Sequence, residues 1–421
     1  MADFHNKLWV WCVFPSLSMG LGWMLRGYIG GGFLGAMIPG ALVGLALCLL
    51  LGRQRDAGFI AAMAAVGVGF GGQETYGQTV GLALKPESFY WAILGFFLKG
   101  GVWGFLGGAI LGLGFSRDRF TRKDFIVGFG LMVAGTYLGW KVVNQPKLIY
   151  FSDRINKPRE ELWFGLLVGA LCLLVYLSYR AGAQVAWRFA LWGLVGGGVG
   201  FASGAAVQVW GRNNAADFPL GWWKVMELVF GLLLGLGFGL SGWRNRKQID
   251  ATVAVGSNVG LITSMALAVL AICVTLPIEP KLPSRMGYTI VGAILLVIAL
   301  YSEEFCWHLG ITVTYFAFAL DLVKARPSYS VTVMWVVVLV TTLAVAGFVF
   351  RASSPLSMFL LITWTSTGMG LLKSFLPPAK LDKSGAMEGL FVVLAGVTSI
   401  LAWRLSVKKP TAQTRVPQDR R

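Results

Sequence analysis

Charged residues are scarce in this chain, making up 13% of its 421 residues, against about 25% in an average soluble domain. Because the deficit extends along the whole length, most of the chain cannot face water. Hydrophobic residues account for 56% of the sequence. They recur in uninterrupted runs of the ~20 residues that a helix needs to cross a bilayer, whereas transmembrane β-strands alternate apolar and polar residues. The sequence therefore predicts an all-α protein, a polytopic transmembrane helical bundle.

Cysteine and histidine are also rare. The five cysteines lie inside apolar runs without a CxxC pair, which is typical of small packing residues. With only His5 and His308 in the chain, a histidine-ligated haem or metal cluster is not expected. Walker A, HExxH and GxSxG motifs are missing from the sequence, so a nucleotide-driven pump is not predicted. We expect no cofactor and no bound metal.

Acidic residues are outnumbered by basic ones, 19 against 36, which gives a formal net charge of +17. In a soluble protein this charge would suggest nucleic acid, but in a membrane protein basic residues collect in cytoplasmic loops. No nucleic-acid partner is therefore expected. The expected partners are the lipid bilayer and a small-molecule solute or a lipid-linked substrate, and the sequence leaves the oligomeric state open.

The apolar runs predict about fourteen membrane-spanning helices, with twelve or thirteen as alternatives because 286–323 could be one broken segment. With fourteen, the basic loops fall on one side, which the positive-inside rule assigns to the cytoplasm. Both termini are then cytoplasmic, in a membrane of the bacterial cytoplasmic type. The predicted spans are 8–25, 31–52, 57–76, 89–115, 124–143, 162–179, 189–210, 221–243, 251–276, 286–302, 305–323, 330–350, 355–376 and 386–404.

Glycine divides the chain into two parts. Most of the 56 glycines precede residue 250, and many recur four apart, as from Gly100 to Gly112. Such stripes let helix backbones approach closely in a bilayer. We predict a glycine-rich module of about eight spans over 1–247, a second module of about six spans over 248–405, and a basic cytoplasmic tail over 406–421. Similar segments in the same order suggest that spans 2–4 recur as spans 6–8, which would be a parallel repeat.

Polar residues within the apolar runs are candidate site residues, because an ionisable group in hydrocarbon is usually buried against protein or water. In the segment from Gln73 to Gln78, an acid and two amides share roughly one sector of the third span. The alternative is that this span ends near Gly72 and these residues lie in the headgroup region. The predicted substrate- or ion-binding residues are Gln73, Glu74, Tyr76, Gln78, Lys99, Gln208, Lys224 and Glu227.

Two lysines carry most of this prediction. Lys99 stands near the middle of the fourth span, where it reaches neither surface and needs an acidic or carbonyl partner. Glu74 and Glu227 are the candidate partners. Lys224 lies three residues from Glu227 and shares its helix face, so these two could instead form a structural ion pair at the end of a span.

A second set of polar residues lies between the tenth and eleventh predicted spans. Glu303, Glu304 and His308 could form a proton relay, because histidine titrates near neutral pH. A tight cytoplasmic turn is the alternative. Hydroxyls near the end of the chain are weaker candidates, because Ser and Thr in helices often bond to their own backbone. They belong to Thr363, Thr365, Ser366 and Thr367.

Three functions fit these observations, and the first is favoured. A secondary transporter would bind a small solute, with Lys99, Lys224 and Arg26 favouring an anion and Glu74 or Glu227 carrying a coupling proton or cation. A membrane-embedded enzyme acting on a lipid-linked or amphiphilic substrate would use Glu74, Glu227 or the Glu304/His308 pair as acid and base. In a non-catalytic subunit or scaffold of a membrane complex, these buried polar residues would only form structural pairs with one another.

Overall fold

The computed structural model describes most of the chain, and within its described ranges the chain forms sixteen α-helices and no β-strand. The described residues are 4–27, 32–74, 76–152, 159–249, 258–278, 286–324, 330–352, 354–375 and 385–407. The helices are α1 (Leu8–Arg26), α2 (Gly32–Leu51), α3 (Ala57–Gly71), α4 (Gly77–Ala83), α5 (Phe89–Gly114), α6 (Arg122–Gly139), α7 (Trp163–Ala181), α8 (Gln184–Asn214), α9 (Trp222–Asn245), α10 (Leu261–Ile278), α11 (Met286–Ala299), α12 (Glu303–Leu309), α13 (Thr312–Lys324), α14 (Val331–Ala352), α15 (Pro355–Phe375) and α16 (Ala386–Ser406).

Ten helices in the described part of the chain are long and apolar enough to cross a membrane. They are α1, α2, α5 to α9 and α14 to α16. Shorter apolar helices cover Ala57–Gly71, Leu261–Ala271 and Met286–Ala299. The all-helical class is confirmed, and the apolar helices are compatible with an integral membrane protein. The count of about fourteen spans, the division into modules, the repeat and the cytoplasmic termini stay predictions; residues 408–421 of the predicted tail lie outside the described residues.

The third predicted span, 57–76, is broken in the structure. Helix α3 ends at Gly71, a turn follows through Glu74, and the short helix α4 begins at Gly77. The break lies where the end of α3 presses against the start of α2. A Cβ at Gly72 would lie 2.5 Å from the carbonyl oxygen of Gly32, so only glycine fits there.

The predicted span 305–323 is broken in the same manner. Ser302 caps a new short helix, α12, by accepting a hydrogen bond from the amide of Phe305 at 3.2 Å. Helix α12 ends at Leu309, and α13 begins at Thr312. A serine whose side chain accepts a hydrogen bond from the first backbone amides of a helix favours a new helix start at that residue. Helix α11 accordingly ends at Ala299, before Ser302.

Six helices pack side by side in a closed ring, in the order α1, α9, α8, α5, α3 and α2. Every residue of α3 is buried, because α11 and α12 of the later part of the chain cover its outer side. Helices α3 and α11 run antiparallel: Gln73 at the end of α3 bonds Thr289 near the start of α11, and Gly58 lies against Trp307 of α12.

Glycine sets the spacing at two of the ring contacts. A Cβ at Gly104 of α5 would overlap the carbonyl oxygen of Gly193 on α8. A Cβ at Gly235 of α9 would overlap the carbonyl oxygen of Pro15 on α1. At both places two backbones touch, and a larger residue would force the helices apart.

Candidate functional site

Aromatic rings from four helices meet inside the six-helix ring and form what we call the aromatic plug. It consists of Trp23 of α1, Trp103 of α5, Phe201 of α8 and Phe230 of α9. The centroids of Trp23 and Trp103 are 4.8 Å apart, and those of Phe201 and Phe230 are 4.5 Å apart. The Trp103 indole donates to the carbonyl of Val68 on α3 at 2.6 Å. Close-packed rings of this size fill the space between these four helices.

Arg26, the last residue of α1, lies on the plug. Its guanidinium carbon is 5.1 Å from the ring centroid of Trp23 and 5.4 Å from those of Trp103 and Tyr76. Nη1 donates to the Tyr76 hydroxyl at 2.5 Å, and the residue is only 4% exposed. Aromatic faces stabilise a buried guanidinium, because their negative quadrupoles face the cation.

Lys224 and Glu227 of α9 complete this group, which we call the Arg26 cluster: Arg26, Tyr76, Lys224 and Glu227. Lys224 Nζ lies 2.7 Å from Glu227 Oε2 and donates to the carbonyl of Met24 at 3.0 Å. Glu227 Oε1 lies 4.0 Å from Arg26 Nη1. Two cations share one carboxylate, so the cluster carries one positive charge in excess. The Lys224 side chain remains 16% exposed, so the cluster reaches the surface at that edge.

Two buried side chains, Trp23 beside Arg26 and Gln208 on α8, have polar atoms without hydrogen-bond partners among the described residues. These atoms are the indole nitrogen of Trp23 and both polar atoms of the Gln208 amide. Gln208 is 0% exposed and lies two turns after Phe201 on the same face of α8. Buried polar groups are nearly always hydrogen-bonded, so these atoms require a partner, which an ordered water or a bound solute can supply. An indole is a donor only, and it requires an acceptor.

The predicted partners of Lys99 were wrong. Lys99 Nζ lies 2.8 Å from Glu161 Oε1, and both side chains are 0% exposed. It also donates to the Thr79 hydroxyl at 3.1 Å. Glu161 lies between the predicted spans 124–143 and 162–179, outside both. Its carboxylate is held in the interior because it also accepts from the amide of Phe151 and the hydroxyl of Ser152.

The residues of the segment from Gln73 to Gln78 reach different neighbours rather than one site. The Gln73 amide oxygen accepts from the amide and the hydroxyl of Thr289, both at 3.1 Å. Glu74 Oε1 accepts from the amide of Leu162 at 2.6 Å, next to the Lys99 pair. Tyr76 joins the Arg26 cluster. Gln78 is half-buried on α4, and its amide oxygen has no partner in the described ranges.

A second polar site lies at the opposite end of α3. A cavity of about 270 Å³ has six lining residues: Glu303, Glu304, Trp307, His308, Val349 and Phe350. The three predicted relay residues therefore share one cavity, although proton transfer stays a prediction. His308 Nδ1 lies 3.0 Å from the Thr312 hydroxyl.

The sequence analysis missed two residues of the first site. Arg26 entered only as one of three basic residues that favour an anion, and Trp23 was not singled out at all. A basic residue that closes an apolar run next to a tryptophan is ordinary at a membrane interface. Only the approach of α5 and α9 to the end of α1 places both residues inside the protein.

No known protein family, no characterised protein and no solved structure matches the chain. Function must therefore be inferred from the side chains of the site rather than from a relative.

Proposed function

We propose that the protein is a secondary transporter of a small anionic solute, which binds at the Arg26 cluster above the aromatic plug. The observation that carries this proposal is the buried Trp23 indole, which has no hydrogen-bond partner among the described residues and lies against Arg26 of a cluster with one positive charge in excess. The Gln208 amide, two turns after Phe201 on α8, is a second such group. An anion placed there would accept from the indole, the amide and the guanidinium together.

Glu227 is the internal counter-anion in this proposal. It is held tightly by Lys224 at 2.7 Å but only loosely by Arg26 at 4.0 Å. A carboxylate or phosphate on the solute would take the bidentate position on Arg26 that Glu227 leaves unfilled. The cation–π contacts with the plug keep the guanidinium in place when the solute departs.

The architecture favours transport over the other two functions. Helices α3 and α11 run antiparallel, and each is followed by a short helix after a break, which is the pattern of discontinuous helices at transporter sites. Alternating access requires that the binding site be closed toward one side of the membrane, and the aromatic plug would close the Arg26 cluster in this way. A scaffold would have no need for buried groups without partners, and an enzyme would need an acid–base pair at this site, where Glu227 is already ion-paired.

The topology belongs to the same proposal. Helices α3, α10 and α11 and the α12–α13 pair would join the ten long helices to give fourteen crossings, with both termini in the cytoplasm. The glycine stripes would hold the ring helices together, because close backbone approach replaces the hydrophobic effect in a bilayer. Reporter fusions after Lys123 and after Lys408 should then both report the cytoplasm.

Anion binding can be tested with purified full-length protein in detergent. Thermal unfolding would be followed with acetate, succinate, glutamate, phosphate and their uncharged amide or ester analogues. At least one anion should stabilise the wild type, by ~2.7 kcal/mol at a hundredfold excess over its dissociation constant. The matching uncharged analogue should not.

Substitutions of single arginines test whether the anion binds at the Arg26 cluster. Arg26→Gln should lose the anion effect, while Arg180→Gln should keep it, because Arg180 is half-exposed and pairs with Asp124 away from the plug. If no anion stabilises the wild type, or if Arg26→Gln responds as the wild type does, the proposal is wrong.

A further inference from the structure

Buried hydroxyls on the helices of this protein usually bond to their own backbone. The side chains of Ser18, Thr136 and Thr398 donate to the carbonyls four residues earlier, at 2.7, 2.8 and 2.8 Å. This is the ordinary state of Ser and Thr in a membrane helix. A buried hydroxyl that does not make this bond needs another partner.

Three hydroxyls on α15 depart from this pattern. Thr363, Ser366 and Thr367 are each 0% exposed, and their oxygens have no hydrogen-bond partner within the described part of the chain. Ser374 on the same helix does bond its own backbone, at the carbonyl of Gly370. On α15 the exception is local to three residues, which we call the hydroxyl triad; the Thr342 hydroxyl of α14 is the other buried helical hydroxyl without a partner in the described ranges.

The triad occupies one face of α15, because its members are spaced i, i+3 and i+4. One turn earlier, Phe359 meets Phe14 of α1 with ring centroids 5.2 Å apart. One turn later, a Cβ at Gly370 would lie 2.8 Å from Leu25 of α1. The three oxygens thus lie on the protein-facing side of α15, level with the middle of α1 and away from lipid.

We propose that the hydroxyl triad forms part of a sodium site. Three neutral oxygens on one face suit a small alkali cation, which binds oxygen ligands of the hard type. A calcium or magnesium site would use carboxylates, and the described residues of the triad face of α15 carry none; Ser374, two turns after Thr367, bonds its own backbone. Imidazole and thiolate ligands for a transition metal are missing from this face as well.

Sodium binding at the triad does not depend on the anion site, but its coupling role rests on the proposed function. Helix α1 links the two: it carries Trp23 and Arg26 at its end and contacts α15 along its middle. A cation bound at the triad would add a positive charge that compensates the charge of the solute anion. Sodium and solute would then stabilise the same state of α1.

The test uses full-length protein in detergent, with thermal unfolding measured in sodium, potassium and choline chloride at equal ionic strength. Sodium alone should raise the Tm of the wild type in a saturable manner. Thr363→Val, Ser366→Ala and Thr367→Val should each weaken the apparent sodium affinity at least ~10-fold, the loss typical of even an indirect ligand partner. Binding of labelled sodium to each variant provides a second readout that does not rely on unfolding.

Thr398→Val on α16 is the matched control, because Thr398 is equally buried but bonds its own backbone. It should keep the full sodium effect. Equal Tm values in the three salts would mean that the hydroxyls bind only water, which overturns the proposal. A sodium effect that persists in all three triad variants would place the ion elsewhere and overturns it as well. Anion stabilisation measured in choline chloride tests the Arg26 cluster separately, so the two proposals can fail independently.

Discussion

Replacing Gln208 by methionine should stabilise the empty protein. The Gln208 amide is 0% exposed, and neither of its polar atoms has a hydrogen-bond partner among the described residues. A buried polar group left unpaired costs about 1–3 kcal/mol. Methionine keeps the unbranched shape and removes the amide, so Gln208→Met should raise the free energy of unfolding by about that amount. The same change should weaken anion binding, because it removes a proposed donor to the anion; residues of a binding site often lower the stability of the empty protein.

Gln73 provides a matched control for this experiment. It is also a buried glutamine, 4% exposed, but its amide bonds the carbonyl of Phe70 and accepts from Thr289. Gln73→Met should therefore destabilise the protein by about 1–3 kcal/mol, since it leaves the Thr289 amide unpaired. Equilibrium unfolding in mixed micelles, without added solute, measures both variants. If Gln208→Met destabilises the protein as much as Gln73→Met does, the Gln208 amide has a structural partner and the reasoning is refuted.

Two further predictions concern other parts of the fold. Lys99→Met and Glu161→Gln should each cost about 3–5 kcal/mol of unfolding free energy, because each leaves a buried charge without its partner. The double variant should recover part of this loss; additive losses would contradict the pairing. Gly104→Ala should cost about 1–3 kcal/mol through backbone overlap, whereas Gly396→Ala, with no atom near the added Cβ, should be mild; equal Tm values would refute this.

The helical class and part of the polar site could be predicted from the sequence, because both depend on local spacing. Long apolar runs identify the helices. The i, i+3 spacing of Lys224 and Glu227 predicts the ion pair that the structure contains. Gln208 continues the spacing of four from Gly200 and Gly204 on α8, which predicts that it faces neighbouring helices, and it is fully buried.

The partner of Lys99 could not be predicted, because it depends on a contact across 62 residues of sequence. Glu161 stands among other charged residues in a loop, and nothing in its local pattern separates it from them. Its burial follows from the amide of Phe151 and the hydroxyl of Ser152, which become partners only after the loop has folded. The end of α3 at Gly71 agrees with the alternative that the third span ends near Gly72, but the contact with the start of α2 that requires glycine there could not be predicted from the sequence.

Uptake into proteoliposomes tests the central claim most directly. Full-length wild type, Arg26→Gln and Arg180→Gln would be reconstituted, and uptake of the labelled anion that most stabilises the wild type would be followed with and without an excess of the same unlabelled anion. We predict saturable uptake that the unlabelled anion competes away, that Arg26→Gln abolishes, and that Arg180→Gln retains. Binding without uptake by the wild type, or equal uptake by Arg26→Gln, would contradict the assignment of this site to transport.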